Sequence, residues 1–333
     1  MRIKFVNTPS LEGMDAQITP VVGENPLCRI PSVRALYTAV SRQELMSQKP
    51  GTVQGFVLAF EEGLKNIVFA NLDCRHDHFK LVNTVAEAVR TAVEMHSKNI
   101  FVPVGTDFSD EEVSLICQGL MIGAYHFDLY KSEKSPRVRF TVYSERDYSA
   151  AVQNGKMLGE CTNLARDLVN TPGSDMTPAI LAQKAAAQAE LCGVKYEILN
   201  EYDIEKLGMG SFLAVARGSA NPPRLIVLRY QGDPESDSTV ALVGKGITFD
   251  TGGYDIKDDE SMATMKSDMG GAAAVIGALL AIARSGIKAN VTAVVAACEN
   301  RVSGNAYLPG DVLRTMSGKT VEVINTDAEG RLT

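Results

Sequence analysis

Helical and strand-like patterns alternate through the second half of the chain, and this alternation limits the possible folds more than any other feature. The predicted elements are helices at 178–192, 201–208 and 270–285 and strands at 194–199, 224–230, 239–244, 291–298 and 320–325. Short apolar strands that alternate with amphipathic helices are typical of a sheet covered by helices. The pattern predicts a C-terminal α/β/α domain with a mixed, largely parallel sheet.

The first 146 residues show the same alternation on a smaller scale. Residues 67–70 and 100–104 have the pattern of buried strands, and residues 79–96 carry apolar side chains at helical spacing. A second helix is predicted over 110–125, where Ser109 and Glu112 have the spacing of a capping box. We therefore expect a smaller N-terminal α/β domain.

A long helix is predicted between these two regions. The pattern of residues 147–169 is helical, and the turn sequence Asn-Thr-Pro-Gly at 170–173 ends it. Thr177 and Pro178 then have the residue types preferred at a helix start. Because 333 residues exceed a usual single core, we expect an N-terminal domain at 1–146, a connecting helix at 147–170 and a second domain at 171–333.

Composition narrows the class of protein. Hydrophobic residues make up 45% of the chain and charged residues 22%, as in soluble globular proteins, and the net charge is −7. The acidic balance disfavours nucleic-acid binding. The sequence lacks a signal-peptide pattern and a run of about 18 apolar residues, so no membrane span is expected. The six cysteines are scattered without paired spacing, which favours free thiols and a cytoplasmic protein.

Three glycine-rich segments, at 243–257, 265–271 and 325–331, carry an unusual set of carboxylates. The four carboxylates are those of Asp250, Asp268, Asp327 and Glu329. Two of the segments follow predicted strands and the third leads into a helix, and ligands of open α/β sheets bind at such strand ends. If the segments converge, two divalent cations would offset the mutual repulsion of the carboxylates. In an extended segment, Asp327 and Glu329 would point to the same side.

Other patterns have simpler interpretations. The Gly-Lys-Gly at 244–246 lacks the remainder of a phosphate-binding loop. His76 and His78 lie in a polar stretch before a helix, and we assign them no role. The cysteines have no histidine partner by motif, so thiol-protease chemistry is not expected.

Taken together, VGKGITFD with the following double glycine, KSDMGG and NTDAEGRL resemble the leucyl aminopeptidase family of dinuclear metallo-exopeptidases. The octapeptide NTDAEGRL at 325–332 is that family's signature, and residues 163–172 resemble its inter-domain helix and turn. The resemblance is strong from about residue 160 onward. Tyr254 and the Ser-Gly-Asn-Ala sequence at 303–306 are more similar to the peptidase B branch.

The resemblance assigns a role to each matching residue. It implies a site with two divalent metal ions, Mn²⁺ or Zn²⁺, whose ligands are Lys245, Asp250, Asp268, Asp327 and Glu329. It implies that Lys257 polarises the scissile carbonyl and that Arg331 holds a bicarbonate-like anion. Met265 resembles a wall residue of the first side-chain pocket.

The resemblance also implies an activity and an assembly. The expected reaction is removal of N-terminal leucine and similar residues from peptides with a free N-terminus, by a homohexamer. Because family members continue past residue 333, the C-terminal domain is expected to be incomplete. Three alternatives stay open: a catalytically silent or truncated homologue kept for binding or assembly, a DNA-binding role, and a ligand-binding function of the N-terminal α/β domain.

Overall fold

The computed structural model describes all residues from Met1 to Thr333. It divides into two compact units, residues 1–163 and 164–333. The division falls within one long helix, α4 (Ser149–Asn170). Both units are mixed α/β, as the sequence predicts.

The elements of the first unit are β1 (Arg2–Val6), β2 (Ala16–Val22), β3 (Asn25–Pro26), α1 (Pro31–Arg42), β4 (Val53–Phe60), β5 (Gly63–Asn71), α2 (His78–Glu94), β6 (Asn99–Pro103), α3 (Asp110–Gly123) and β7 (Arg139–Tyr143). They build a seven-stranded sheet in the order β1-β7-β6-β2-β5-β4, with β3 paired to β2. The pairs from β1 to β5 in this order are parallel, and the hairpin partner β4 is antiparallel.

Two apolar clusters cover the sheet of this unit. Ile18 and Val68 belong to the larger cluster, which contains the buried residues of α2 and α3. Val21, Ile67 and Phe69 belong to the cluster with α1. The predicted capping box at Ser109 is confirmed, since Ser109 accepts from the Glu112 N–H and Glu112 accepts from the Ser109 N–H. The predicted strands at 67–70 and 100–104 lie within or overlap β5 and β6.

The elements of the second unit are α5 (Pro178–Leu191), β8 (Lys195–Leu199), α6 (Glu201–Lys206), α7 (Gly210–Ala216), β9 (Arg224–Gln231), β10 (Thr239–Asp250), α8 (Asp259–Met262), α9 (Gly270–Arg284), β11 (Asn290–Asn300), β12 (Val312–Arg314) and β13 (Thr320–Glu322). Two 3₁₀ helices, Met265–Ser267 and Thr326–Arg331, complete it. Thr177 caps α5 as predicted, by accepting a hydrogen bond from the Ile180 N–H.

The main sheet of the second unit has the order β10-β11-β9-β8. Only the β10–β11 pair is parallel, while β11–β9 and β9–β8 are antiparallel. The prediction of a largely parallel sheet was therefore wrong in detail, although the sheet is mixed. A hydrophobic pattern indicates which residues of a strand are buried, but it does not indicate whether the strand is parallel or antiparallel to its neighbour.

The strand predicted at 320–325 is confirmed only over its first three residues. The strand ends at Glu322 and pairs only with β12 in a separate two-stranded sheet. Helix α7 was not predicted, and β10 continues to Asp250 instead of ending at 244. The apolar stretch 239–244 is followed by polar and glycine residues, which hid the second half of the strand.

One helical stretch, Met265–Arg284, is long and apolar enough to cross a membrane by length and composition alone. That is weak evidence, because core helices of α/β layers have the same composition. The buried residues of α9 include Ile276, Leu279 and Leu280, and the helix packs on β10 and β11.

Candidate metal centre

The centre lies where β10 and β11 end. Asp250 is the last residue of β10 and Asn300 the last of β11, and the two pair in register. Because the strands are parallel, their carboxyl ends meet at one edge of the sheet. Asp250 is 2% exposed and Asn300 is fully buried. Asn300 Nδ2 donates to Asp250 Oδ1 at 2.8 Å, which fixes the orientation of the carboxylate.

The loop after β10 is held against the C-terminal segment by one threonine. Thr326 Oγ1 donates to the Gly252 carbonyl at 2.6 Å and accepts from the Asp255 N–H at 2.9 Å. The Thr326 N–H in turn donates to Asp255 Oδ2 at 2.7 Å. Gly252 and Gly253 have φ of +85° and +69°, a backbone conformation that L side chains rarely adopt. The double glycine therefore allows the turn that brings Lys257 back to the site.

Lys245 lies between two carboxylates. Its Nζ is 2.9 Å from Asp268 Oδ1 and 2.7 Å from Glu329 Oε1. Burial lowers the pKa of Lys245, but the hydrogen bonds that it donates to Asp268 and Glu329 outweigh this effect and raise the pKa above its usual value. A Cβ on Gly330 would lie 3.2 Å from the Lys245 side chain, so this glycine allows the segment to approach the lysine closely.

Lys257 bridges the other two carboxylates. Its Nζ is 3.2 Å from Asp250 Oδ2 and is also hydrogen-bonded to Asp327 Oδ1. Burial lowers the pKa of Lys257, while the Asp327 hydrogen bond and the Asp250 charge raise it, and the net direction is upward. Lys257 is therefore an ammonium group at neutral pH.

The three carboxylates of Asp250, Asp327 and Glu329 each offer an oxygen within 4.8 Å of the others. Lys245 joins Asp268 to this cluster, so the structure brings together all five residues predicted as metal ligands and Lys257. Four carboxylates face two ammonium groups, which leaves the cluster with a net negative charge. The pKa of Asp268 is raised because burial and the neighbouring Asp250 and Glu329 charges outweigh Lys245.

Two carboxylate oxygens of the cluster have no hydrogen-bond partner, and this bears on whether divalent cations fit the site. Asp268 Oδ2 and Glu329 Oε2 are buried and accept no hydrogen bond within the chain. A buried carboxylate oxygen without a partner is costly unless a cation or donor meets it. Oxygen-rich sets with one amine accept several divalent metals. The residues therefore fit a divalent cation centre.

The predicted geometry of the signature segment was wrong. Asp327 and Glu329 lie in the 3₁₀ helix Thr326–Arg331 rather than in an extended segment, and Ala328 between them departs from helical φ/ψ. The kink at Ala328, rather than strand alternation, brings both carboxylates to the cluster. Asn325 accepts from the Asp327 N–H at 2.6 Å and starts this turn.

The remaining predicted residues lie around this cluster without joining it. Arg331 is exposed at the end of the 3₁₀ helix and makes no ion pair or hydrogen bond within the chain through its guanidinium. Met265 is half-buried and begins the short 3₁₀ helix that ends before Asp268.

The sequence analysis missed the residues that support the carboxylates. Asn300 donates to Asp250 and also to the Thr326 carbonyl at 3.0 Å, and the Tyr307 hydroxyl donates to the same carbonyl at 2.7 Å. The only signal for Asn300 was its place at a strand end opposite Asp250. That pairing needs the strand register, which the sequence does not give.

Another buried carboxylate lies next to Asn300 at the end of β11. Glu299 is fully buried, and its Oε2 accepts from Ser219 Oγ at 2.5 Å, Asn221 Nδ2 at 3.2 Å and Arg301 Nε at 2.8 Å. Arg301 also stacks over the Phe249 ring, 5.1 Å from its centroid. These contacts explain how a buried Glu299 is tolerated, because Arg301 pairs with its charge and three donors satisfy its Oε2 atom.

Cys298 is the cysteine nearest to the carboxylates along β11. It is fully buried, and burial together with the charges of Glu329, Glu299 and Asp250 raises the pKa of its thiol well above the usual value. All six cysteines are free thiols. A neutral, buried thiol such as Cys298 is a poor nucleophile.

The sequence profile described as "Cytosol aminopeptidase family, catalytic domain" matches residues 163–333, which contain the whole carboxylate cluster. The chain belongs to the cytosol aminopeptidase family. The leucyl aminopeptidase resemblance is thereby confirmed. The membership places the chain among metal-dependent aminopeptidases, which are hydrolases.

Individual relatives agree with the profile. The "Probable cytosol aminopeptidase" of Clostridium perfringens (strain 13 / Type A) is 39% identical over 96% of this chain, which spans 68% of that protein. The protein of the same name from Alkaliphilus metalliredigens (strain QYMF) is 47% identical over 76% of this chain, which spans 53% of it. The chain thus spans half to two thirds of these relatives.

Solved structures extend the likeness to both units. The bottromycin maturation enzyme BotP in complex with Mn is 30% identical and superimposes with a TM-score of 0.80, covering 96% of this chain and 67% of that one. A second structure of BotP gives a TM-score of 0.78 at the same coverage. The likeness to BotP therefore includes residues of both units.

Proposed function

We propose that this protein is a two-metal aminopeptidase that removes leucine and similar N-terminal residues from peptides. The observation that carries the proposal is the cluster of Asp250, Asp327 and Glu329, whose oxygens lie within 4.8 Å of one another beside Lys245 and Lys257. Family membership supplies the reaction class. The metal-bound BotP structure supports a divalent cation as the cofactor.

Five residues of this chain would hold the two cations: Lys245, Asp250, Asp268, Asp327 and Glu329. In such centres the metals lower the pKa of a bound water and act as Lewis acids on the scissile carbonyl. Lys245 has to give up its ammonium proton to serve as a ligand, because only the neutral amine has a lone pair. Asp268 Oδ2 and Glu329 Oε2, which have no partner in the chain, supply free lone pairs.

Lys257 is the residue we assign to the substrate carbonyl. Its pKa is raised, so it stays a charged donor throughout the neutral range. A fixed ammonium group stabilises the negative charge that develops on a carbonyl oxygen in the transition state. Its present partners, Asp250 and Asp327, keep it at the edge of the carboxylate cluster.

Arg331 is the residue we assign to a bicarbonate-like anion. Its guanidinium group has no partner in the chain, and the residue lies two positions after Glu329. An unpaired guanidinium offers several N–H donors in a plane, which suits a small oxyanion. A held oxyanion would accept the proton of the attacking water.

Finer assignments belong to the same proposal. We infer a cytoplasmic homohexamer that uses Mn²⁺ or Zn²⁺, as in the family that the signature resembles. The peptidase B assignment rests on Tyr254 and on residues 303–306, and these two segments contact each other. The Tyr254 hydroxyl donates to the Ser303 carbonyl at 3.0 Å.

Hydrolysis of two matched substrates tests the proposal. The 333-residue chain is incubated with leucyl-p-nitroanilide and with its Nα-acetylated form, with Mn²⁺ or Zn²⁺ and with a chelator. We expect metal-dependent release from the free-amine substrate alone, since an aminopeptidase requires the free α-amine. Bound metal is counted by elemental analysis in parallel.

Two variants separate the outcomes. Asp327→Ala should abolish release, and Glu322→Gln, an exposed carboxylate five residues earlier, should leave it unchanged. Two bound metal ions without hydrolysis would favour a catalytically silent homologue. Equal cleavage of the acetylated substrate would contradict an exopeptidase.

A further inference from the structure

The first unit contains a cleft of about 800 Å³ that the proposed peptidase reaction does not use. Its wall includes residues that follow the carboxyl ends of β1, β2, β6 and β7, where ligands of parallel sheets bind. The volume is within the range of about 300–1,000 Å³ typical of small-molecule sites. All of the lining residues belong to the first unit.

The floor of the cleft is flat and aromatic. Phe101 and Tyr143 lie on the neighbouring strands β6 and β7, on the sheet face opposite the α2 and α3 cluster, and both line the cleft. They are 3% and 7% exposed. Their rings stack with centroids 5.9 Å apart and an interplanar angle of 21°. Such a floor favours a planar ring as the ligand's apolar part.

A buried amide lies beside this floor. Gln17 lines the cleft and is 1% exposed, and its Oε1 accepts no hydrogen bond. Its Nε2 donates to Thr19 Oγ1 at 2.8 Å and to Cys28 Sγ at 3.0 Å. A hydroxyl and a thiol can each donate or accept, so one polar end of the amide lacks a partner in either orientation. A ring with polar atoms on its edge would satisfy it.

The same network leads to a site for an anion. The Cys28 side chain contacts Gln17. Its carbonyl oxygen accepts a hydrogen bond from Arg34 Nε, and its Sγ accepts one from the Ile30 N–H at 3.3 Å. Ile30 is the N-cap of the 12-residue helix α1, and no side chain caps its first turn. Pro31 has no N–H and the Ile30 N–H meets Cys28 Sγ, so the uncapped donors of the first turn are the Ser32 and Val33 N–H groups. Together with the exposed Arg34 guanidinium they point to an anionic group at this end.

Three of the four acidic side chains of the wall have a cationic neighbour, and the fourth, Glu61, has no ion pair. Glu145 pairs with Arg29 at 2.5 Å, Asp107 pairs with Arg75 at 3.0 Å, and Glu62 lies 3.4 Å from Lys65. Lys65, itself buried, donates to the Leu11 and Met14 carbonyls and fixes the loop that forms another wall. Arg34 and Glu61 are therefore the charged side chains of the wall that have no ion pair, and Arg34 is the cation available to an anionic ligand.

From these three features we propose that the cleft binds a nucleoside monophosphate. The base lies on Phe101 and Tyr143 with its polar edge on the Gln17 amide, and the phosphate lies at the N-terminus of α1 beside Arg34. A planar heterocycle with donors and acceptors on its edge, joined to one phosphate, meets all three. The site is separate from the carboxylate cluster of the second unit.

Calorimetric titration of the 333-residue protein tests the site. The probes are AMP, GMP, CMP and UMP, with adenosine and inorganic phosphate as the separated parts. We expect at least one nucleotide to bind with a Kd below about 1 mM, and each part alone to bind about tenfold more weakly or worse. No nucleotide binding at about 5 mM would overturn the proposal. Inorganic phosphate binding as tightly as the nucleotide would overturn it as well.

Matched variants locate the contacts. Arg34→Gln should weaken nucleotide binding by about tenfold, since it removes a charged hydrogen-bond donor. Arg42→Gln removes the same charge from the other end of the same helix and should change Kd less than about twofold. Gln17→Leu should reduce discrimination among the bases. Because Gln17 is buried, the fold of the Gln17→Leu variant is checked by circular dichroism. If Gln17→Leu does not fold, the test rests on Arg34→Gln alone. An unchanged Kd in Arg34→Gln would overturn the assignment.

Discussion

Lys245 Nζ lies 2.7 Å from Glu329 Oε1, and this contact joins the middle of β10 to the C-terminal 3₁₀ helix. Glu329 is 1% exposed, so its charge depends on neighbouring cations. In the metal-free protein the lysine ammonium supplies that charge. Glu329 is also a proposed metal ligand. Its negative charge is therefore balanced either by the Lys245 ammonium group or by a metal ion.

Lys245→Met should destabilise the metal-free protein. The variant keeps the length of the side chain and leaves a buried carboxylate without its counter-charge, a loss of about 1–3 kcal/mol. We expect the lower part of this range, because solvent screens the half-exposed ammonium. Urea unfolding with chelator present measures the change. Lys184→Met on the exposed face of α5 is the control, and equal stability of the two variants would contradict the role of the contact.

Asn300→Asp should weaken metal binding without touching a proposed ligand. Asn300 Nδ2 donates to Asp250 Oδ1 at 2.8 Å and to the Thr326 carbonyl at 3.0 Å. A carboxylate in its place cannot donate and repels Asp250. Loss of such an orienting partner typically lowers metal affinity by about 10–100-fold. Competition titration with a Mn²⁺ indicator measures the affinity. Asn305→Asp, an exposed substitution of the same type, should bind as the parent does.

The sequence predicted the candidate ligands because their motifs are local. Every candidate ligand lies within a short glycine-rich segment, and the order of the three segments is specific to the leucyl aminopeptidase family. The ligands are Lys245, Asp250, Asp268, Asp327 and Glu329. Long amphipathic helices such as α2 (His78–Glu94) were predicted for a similar reason, since their periodicity extends over four turns.

What the sequence could not predict depends on long-range pairing. The role of Asn300 follows from its register with Asp250, and the hydrogen bond from Thr326 to Gly252 joins residues 74 positions apart. Gln17 was missed because an amide in a short strand has no motif. Its unsatisfied oxygen becomes evident only when Thr19 and Cys28 are placed around it.

Gly155→Ala should destabilise the first unit although it raises helix propensity. A Cβ at Gly155 in α4 would overlap the Ser114 carbonyl and lie 2.7 Å from Cys117 Cβ. The obstacle is backbone of α3, which cannot rotate away. Overpacking of this kind costs about 1–3 kcal/mol, more than the gain of about 1 kcal/mol from replacing glycine in a helix. Thermal unfolding measures the change. Gly270→Ala in α9, where a Cβ meets nothing within 4 Å, should keep or raise the melting temperature.

Stability should fall at alkaline pH, in part through Tyr148. Its hydroxyl donates to the Phe108 carbonyl at 2.5 Å and to the Gly105 carbonyl at 3.2 Å, and burial raises its pKa above 10.0. The unfolded chain then releases this proton at lower pH than the folded protein does. The contribution of Tyr148 is therefore complete below about pH 10 and is lost as pH rises above it.

Tyr148→Phe isolates this contribution. The variant should lose about 1 kcal/mol at pH 8, because two carbonyls lose their donor, and its stability should fall less steeply above pH 10. Urea unfolding of parent and variant between about pH 8 and pH 11 gives both slopes. Burial also raises the pKa of Tyr37 and Tyr307. It raises the pKa of the Cys117 and Cys298 thiols as well, so a residual slope is expected in the variant. Tyr202→Phe, an exposed substitution on α6, should leave the parent slope unchanged. Parallel slopes for Tyr148→Phe and the parent would show that another group controls the alkaline transition.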